Sequence, residues 1–139
     1  MEVQVNYWAV LLAGVSSMVI GMVYYGDVVF GKTWKALSGV DTKKFEKKMP
    51  KLMPLMFLAA LLTAYILAHV MYMAHAFYHY SWLSTGVTTA LWLWLGVSAT
   101  TLFIHNVMDL KPAKLTAISI GNRLLSLLAM GLILGWLHP

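Results

Sequence analysis

The chain is expected to be an all-α integral membrane protein, a bundle of four transmembrane helices with a short basic amphipathic segment at the membrane surface between the first two. Three observations predict this. Of its 139 residues, 60% are hydrophobic and 11% charged, with a mean hydropathy of +0.74, outside the soluble globular range. Several stretches hold the roughly 20 apolar residues that a helix needs to cross about 30 Å of hydrocarbon. Nine of the ten Lys and Arg residues are concentrated in two connections instead of being spread over a surface.

Four segments meet the length test: Tyr7 to about Phe30, Leu55 to about Tyr78, Leu83 to about Val107, and Leu115 to Leu137. Strands with open edges would leave backbone groups unpaired in lipid, and no segment alternates as a barrel strand does, so helices are expected. Together they make one domain over residues 1–139. Glu2 stands ahead of the first span where a secretory signal would carry Lys or Arg, and the apolar run outlasts a signal core, so this span is expected to be retained.

Charge in the connections predicts orientation. Residues 31–54 carry Lys32, Lys35, Lys43, Lys44, Lys47, Lys48 and Lys51, the connection after the third span carries Lys111 and Lys114, and the other ends carry none. By the positive-inside rule both basic connections face the cytoplasm of a bacterial inner (plasma) membrane and both termini lie outside. A bias this strong argues against insertion in both directions.

Inside the first connection Phe30, Trp34 and Leu37 recur at helical spacing. Asp41 is placed to cap a second short helix on which Phe45 and Met49 share a face. Such a helix lies on a membrane, and Lys43, Lys44, Lys47 and Lys48 would meet the headgroups of anionic lipid there, at about 1 kcal/mol each. Nucleic acid is not an expected partner, because the membrane is the nearer anion.

The segments "NYWAVLLAG", "YYGDVVFGKTWKALSG" and "TTLFIHNVMDLKPAKLTAISIGNRLLSLLAMGLILG" resemble the small four-span membrane proteins grouped as domain of unknown function 1761. The most specific part is the exit from the first span, Tyr25-Gly26 followed by Phe30-Gly31-Lys32 and Trp34. The Pro-x-x-Leu start of the last span and its Met-Gly pair add to it. The resemblance covers nearly the whole chain and implies the four-span fold and its topology, with no activity, cofactor or catalytic residue. Where family members often carry a Ser-Pro-like break, this chain has Gly26-Asp27, and Asn122-Arg123 replaces a different polar pair.

Arg123 is the residue that demands a reason. At about 1.5 Å per residue from Leu115 it lies about 12 Å below the cytoplasmic boundary, where an arginine costs about 2.5 to 3.5 kcal/mol on insertion scales. It should therefore face the bundle, on a stripe with Thr116, Ser119 and Ser126 and with Asn122 alongside. Asp27 is the first choice of partner, since Gly26 lets a helix approach. Asp109 is the second, stacked with His105 and Thr101 on one face of the third span. Asp27, His105, Asp109, Asn122 and Arg123 are thus expected to form a polar cluster opening to the cytoplasm. It would serve either as a substrate or ion pathway or as a packing device.

His75 and His79, at i and i+4 near the outer face, match two ligands of a zinc or copper site that lacks a third, or else anchor at the interface. No cofactor is predicted beyond a metal ion at that pair. There is no cysteine, which excludes disulfides, thiolate sites and a cysteine nucleophile. Hydrolase, phosphate-loop and metalloprotease motifs are missing too, so catalysis is not the expected role. Small residues form stripes expected to carry helix packing: Ala13, Ser17 and Gly21 on the first span, Ala60, Ala64 and Ala68 on the second, and Gly131-x-x-x-Gly135 on the last. They permit close contact within one bundle or between two copies, and a homo-oligomer is expected. The methionines in the spans read as packing filler, and Trp8, Trp82 and Trp136 suit the outer aromatic belt and Trp34 the inner. Two functions are compatible with these residues: a small transporter or permeation protein built on Arg123, and a non-catalytic scaffold or accessory subunit.

Overall fold

The computed structural model describes residues 3–139. Glu2, which the sequence places ahead of the first span, lies outside the described residues. The elements are α1 (Tyr7–Tyr24), α2 (Gly31–Ser38), α3 (Thr42–Tyr78), α4 (Trp82–Leu93), a π-helical turn (Trp94–Ala99), α5 (Thr100–Met108) and α6 (Ala113–Trp136). Among the described residues four helices are long and apolar enough to cross a membrane: α1, α3, α4 through α5, and α6. The described residues are helical apart from short connections, and the bundle expected from the sequence is present.

Each start and stop has a local cause. Asn6 caps α1, its Oδ1 accepting from the backbone N–H groups of Trp8 and Ala9, which supplies partners for donors that a helix start leaves orphaned. Its Nδ2 donates to the Leu137 carbonyl at 2.9 Å, tying the start of α1 to the end of α6. Asp41 caps α3 through Lys44 N–H, and Ser81 caps α4 through Ser84 N–H. His79 closes α3 in the left-handed conformation with φ 56°.

The first span is shorter than the sequence suggested. It stops at Tyr24 rather than Phe30, because residues 25–30 fold into a compact turn. In that turn Phe30 N–H bonds to the Tyr24 carbonyl and Gly31 N–H to the Gly26 carbonyl. A Cβ at Gly31 would collide with the Tyr25 carbonyl oxygen, so glycine there lets α2 start directly against the end of α1. The spacing of Gly26, Phe30 and Gly31 that carries the family resemblance is therefore the geometry of this turn. Phe30, Tyr24, Tyr25, Trp34 and Phe45 continue it as a chain of ring contacts with centroids 4.7 to 5.5 Å apart.

The second basic helix expected at Asp41 is not separate. Asp41 caps it as expected, but the helix runs on through Pro50 and Pro54 to Tyr78, 37 residues in all and about 55 Å long. Proline removes a donor and frees the carbonyl four residues earlier. Both prolines lie on exposed stretches of the helix, where water can satisfy those carbonyls. The half-buried face of Phe45, Met49, Met53 and Phe57 leads straight into buried Ala60, Ala64, Leu67 and Met71. A single seam thus favours one helix, whose first turns exceed what about 30 Å of hydrocarbon can cover and carry the lysine cluster.

The core is built on α6, which packs against α1, α3 and α4. Ala9, Ala13, Ala64, Leu67, Met71, Ala90, Leu127, Met130 and Leu134 form one buried cluster. A Cβ at Gly86 would overlap the Gly131 carbonyl oxygen, and one at Gly131 would overlap that of Gly86. A Cβ at Gly135 would sit 2.7 Å from the Trp82 oxygen. The two helices thus approach closely within one chain, Gly131 against Gly86 and Gly135 against Trp82 and Leu83 of α4. On α1 the contact is made by Ala13 and by Gly14, whose Cβ would lie 2.7 Å from Leu61 Cδ2. Gly21, expected on that stripe, has nothing within 4 Å of where its Cβ would be. The two helices have separated at that level, and Ser17 lines open space instead of a contact.

Candidate functional site

The opening between the helices is created by the third span. Along α4, Thr85, Gly86, Thr89 and Ala90 are buried, but neither the π turn nor α5 buries any residue. One extra residue in a π turn rotates everything after it by about 100° relative to an uninterrupted α-helix. The face that seals α4 onto α6 therefore turns away in α5. Trp94 marks the change, its indole N–H donating to the Ile120 carbonyl at 3.0 Å. Asn106 holds the far end, its Nδ2 donating to Thr116 Oγ1 at 3.0 Å.

A groove of about 300 Å³ is left between them. Its floor is α6, with Arg123, Ser126, Leu127 and Met130. One wall is Ser17 of α1 with Thr63 of α3, and the other is Val97 and Ser98 of the π turn with Thr101 and Leu102 of α5. All four spans contribute. Arg123 is exposed to this groove, ten residues into a 24-residue helix. That puts its backbone about 15 Å from the helix start, close to the middle of a span of about 36 Å. Five hydroxyls and one guanidinium face apolar walls. No carboxylate lines the groove or pairs with Arg123 among the described residues. A second hollow, beneath Trp82, has about 20 Å³, room for one water.

The expected polar cluster does not assemble. Asp27 pairs with Lys35 at 3.2 Å, and Lys35 also reaches Glu46 at 3.7 Å. The cause is the early end of α1: the turn at residues 25–30 carries Asp27 out to the level of α2, away from the mid-membrane arginine. The hydrogen bond from Lys35 to Asp27 raises the Lys35 pKa above its ordinary value, with both acidic neighbours adding to the effect. His105 Nε2 lies 3.6 Å from Asp109 Oδ2 on the exposed surface of α5, so that pair is local to one helix. Asn122 is half-buried beside Arg123, and its Oδ1 has no hydrogen-bond partner among the described residues. Burial raises the pKa of the Tyr25 phenol, which follows the last turn of α1, and Ser119 on the α6 stripe and Arg123 oppose that rise.

At the opposite end the His75 ring stacks on Trp82 with centroids 3.8 Å apart, and Trp82 stacks on His138 at 5.3 Å. His79 sits in the left-handed turn one residue past α3. Among the described residues no three His, Asp or Glu side chains gather as a metal-holding group. Lys43, Lys44, Lys47 and Lys48 stand exposed on the projecting first turns of α3, and Lys111 Nζ donates to the Ser38 carbonyl, joining the two basic connections.

Sequence reasoning found Arg123, Thr101 and Ser126 but not Thr63 or Ser98, and it read Ser17 as packing. Each is a single hydroxyl in an apolar span, visible only as an exception to its neighbours. What gathers them is the π turn, for which the sequence carries no recognised signal. No curated protein and no solved structure matches the chain. A family model described as protein of unknown function (DUF1761) matches residues 8–135, and the chain therefore belongs to that family.

Proposed function

We propose that the chain is a small transporter or permeation protein that holds an anion at Arg123 in its intramembrane groove. One observation carries this reading. A guanidinium is kept at mid-span, facing a hydroxyl-lined space, with no carboxylate beside it among the described residues. A charge at that depth costs about 2.5 to 3.5 kcal/mol, and an arginine without a fixed partner offers that free energy to an anion that neutralises it. Its planar fork presents five donors, and Ser98, Thr101 and Ser126 can donate alongside it. Since every span lines the groove, any movement of the helices changes the anion's surroundings.

The scaffold reading rested on the missing enzyme motifs and on stripes that invite partner helices, and of those stripes Gly131 and Gly135 are already occupied by α4. The projecting lysines of α3 support a cytoplasmic placement for the basic connections, in contact with anionic lipid.

The test is anion efflux from proteoliposomes, with chloride, phosphate and decanoate loaded in turn. Arg123→Ala is expected to lower the protein-dependent flux of at least one of them by tenfold or more, Arg123→Lys to keep part of it, and Asp27→Asn to leave it unchanged. Equal flux of every anion through wild type and Arg123→Ala would defeat the proposal.

A further inference from the structure

We infer that the ligand of the Arg123 groove is an acyl-chain oxyanion that enters sideways from the bilayer, an inference that rests on the anion-binding reading above. The argument begins with the walls. Around Arg123 the hydroxyls lie together with Val97, Leu102, Leu127 and Met130, and the lining is more apolar than polar. A small hydrated anion would lose its water against those apolar walls and recover only part of it from the guanidinium and the hydroxyls. An anion joined to a hydrocarbon chain matches both parts, its oxygens on the guanidinium and its chain along the apolar side chains.

The direction of access follows from burial. The third span is the least enclosed of the four, with 11% of its apolar stretch buried against 33% for α6. Past the π turn, Phe103, Ile104 and Val107 are all more than half exposed. Gly96, at the edge of the groove, has nothing within 4 Å of where its Cβ would be. So the groove is not closed off from the side by packed protein. A chain already dissolved in lipid reaches Arg123 without crossing the cytoplasmic elbow, where the Tyr25, Trp34 and Phe45 rings pack edge-on and tilted against one another. Charge complementarity sets the sign of the headgroup, since Arg123 is the one charged residue lining the groove among the described residues. A carboxylate and a phosphate ester share the required chemistry, and the test separates them.

The full chain would be placed in phosphatidylcholine nanodiscs and titrated with dibromostearate, whose bromines quench tryptophan. The signal of Trp94, three to four residues from the groove wall at Val97 and Ser98, is obtained by difference against Trp94→Phe. Saturable quenching is expected, with half-saturation raised about tenfold or more in Arg123→Ala and partly restored in Arg123→Lys. Competition by dioleoyl phosphatidic acid would assign the site to a phospholipid, and failure to compete would assign it to a free fatty carboxylate; either result supports the inference. If inorganic phosphate changes Trp94 emission in an Arg123-dependent way while dibromostearate quenches without saturation, the amphiphile is overturned and the anion site stands. Both readings fall if neither probe distinguishes wild type from Arg123→Ala, and a dimer crosslinked through cysteines at Val97 would then name a second copy as the occupant.

Discussion

Replacing Gly131 with alanine tests the crossing of α4 and α6 on which the groove depends. The added Cβ would overlap the Gly86 carbonyl oxygen and lie 3.0 Å from the Gly86 carbonyl carbon and 3.1 Å from Ala90 Cβ. Ordinary non-bonded separations are about 3.5 Å or more, so the two helices must part by on the order of an ångström. None of the three obstructing atoms is the free end of a flexible side chain, so the strain spreads into Ala90, Met130 and Leu134, which are all buried. Overpacking of this kind costs about 1 to 3 kcal/mol. The assay is thermal unfolding of the purified protein in mild detergent, with Gly21→Ala as the control because open space surrounds that position. Gly131→Ala should lower Tm clearly while Gly21→Ala leaves it unchanged or raises it, as alanine's helix preference of about 1 kcal/mol over glycine suggests. An unchanged Tm in Gly131→Ala, or a larger loss in Gly21→Ala, would show that the α4–α6 contact is not where the bundle is held.

Asn6→Ala removes a cap and the tether to Leu137 together, and should cost about 1 to 2 kcal/mol in detergent unfolding, whereas Asn6→Asp should keep the cap and lose the tether. Because the chain has no cysteine, single cysteines at Lys44 and His138 can be labelled with an impermeant maleimide on intact cells; His138 should react outside and Lys44 only after lysis. The raised pKa of Lys35 favours its charged form in the folded state, so the link from α2 to Asp27 should persist below the ordinary lysine pKa of about 10.5 and weaken only as pH rises through the higher folded value. Lys35→Met should therefore remove any difference between wild type and Asp27→Asn in stability scans across alkaline pH.

The spans were legible because hydrocarbon thickness imposes a length that composition reveals directly. The caps at Asp41 and the close approach at Gly131 and Gly135 were legible because each is a local rule. Two features were not. A short surface helix capped by Asp41 was drawn apart from a span beginning at Leu55, but the two are one helix, because the half-buried face of Phe45, Met49, Met53 and Phe57 continues into the buried seam and Pro50 and Pro54 fall on exposed stretches. The partner of Arg123 was sought by depth, with Asp27 at the end of a span drawn to Phe30. The Gly26–Gly31 turn ends that span at Tyr24 and sends Asp27 to Lys35, a consequence of backbone contacts that hydropathy does not register.

The loss of that partner changes what Arg123 implies. Were it bonded to a buried carboxylate, removing it would strand a charge and cost about 3 to 5 kcal/mol, and packing alone would account for the residue. No such carboxylate faces it among the described residues, so Arg123→Ala should leave the unfolding temperature in detergent unchanged or higher, since it relieves the cost of a charge at mid-span. A charged residue with no carboxylate partner among the described residues that is nonetheless presented to a groove of about 300 Å³ lined by all four spans is not accounted for by packing. Glycines at the α4–α6 crossing hold the floor of that groove, while the π turn releases its outer wall. A fall of 3 kcal/mol or more in Arg123→Ala would return the residue to the structural role and remove the ground for an anion site.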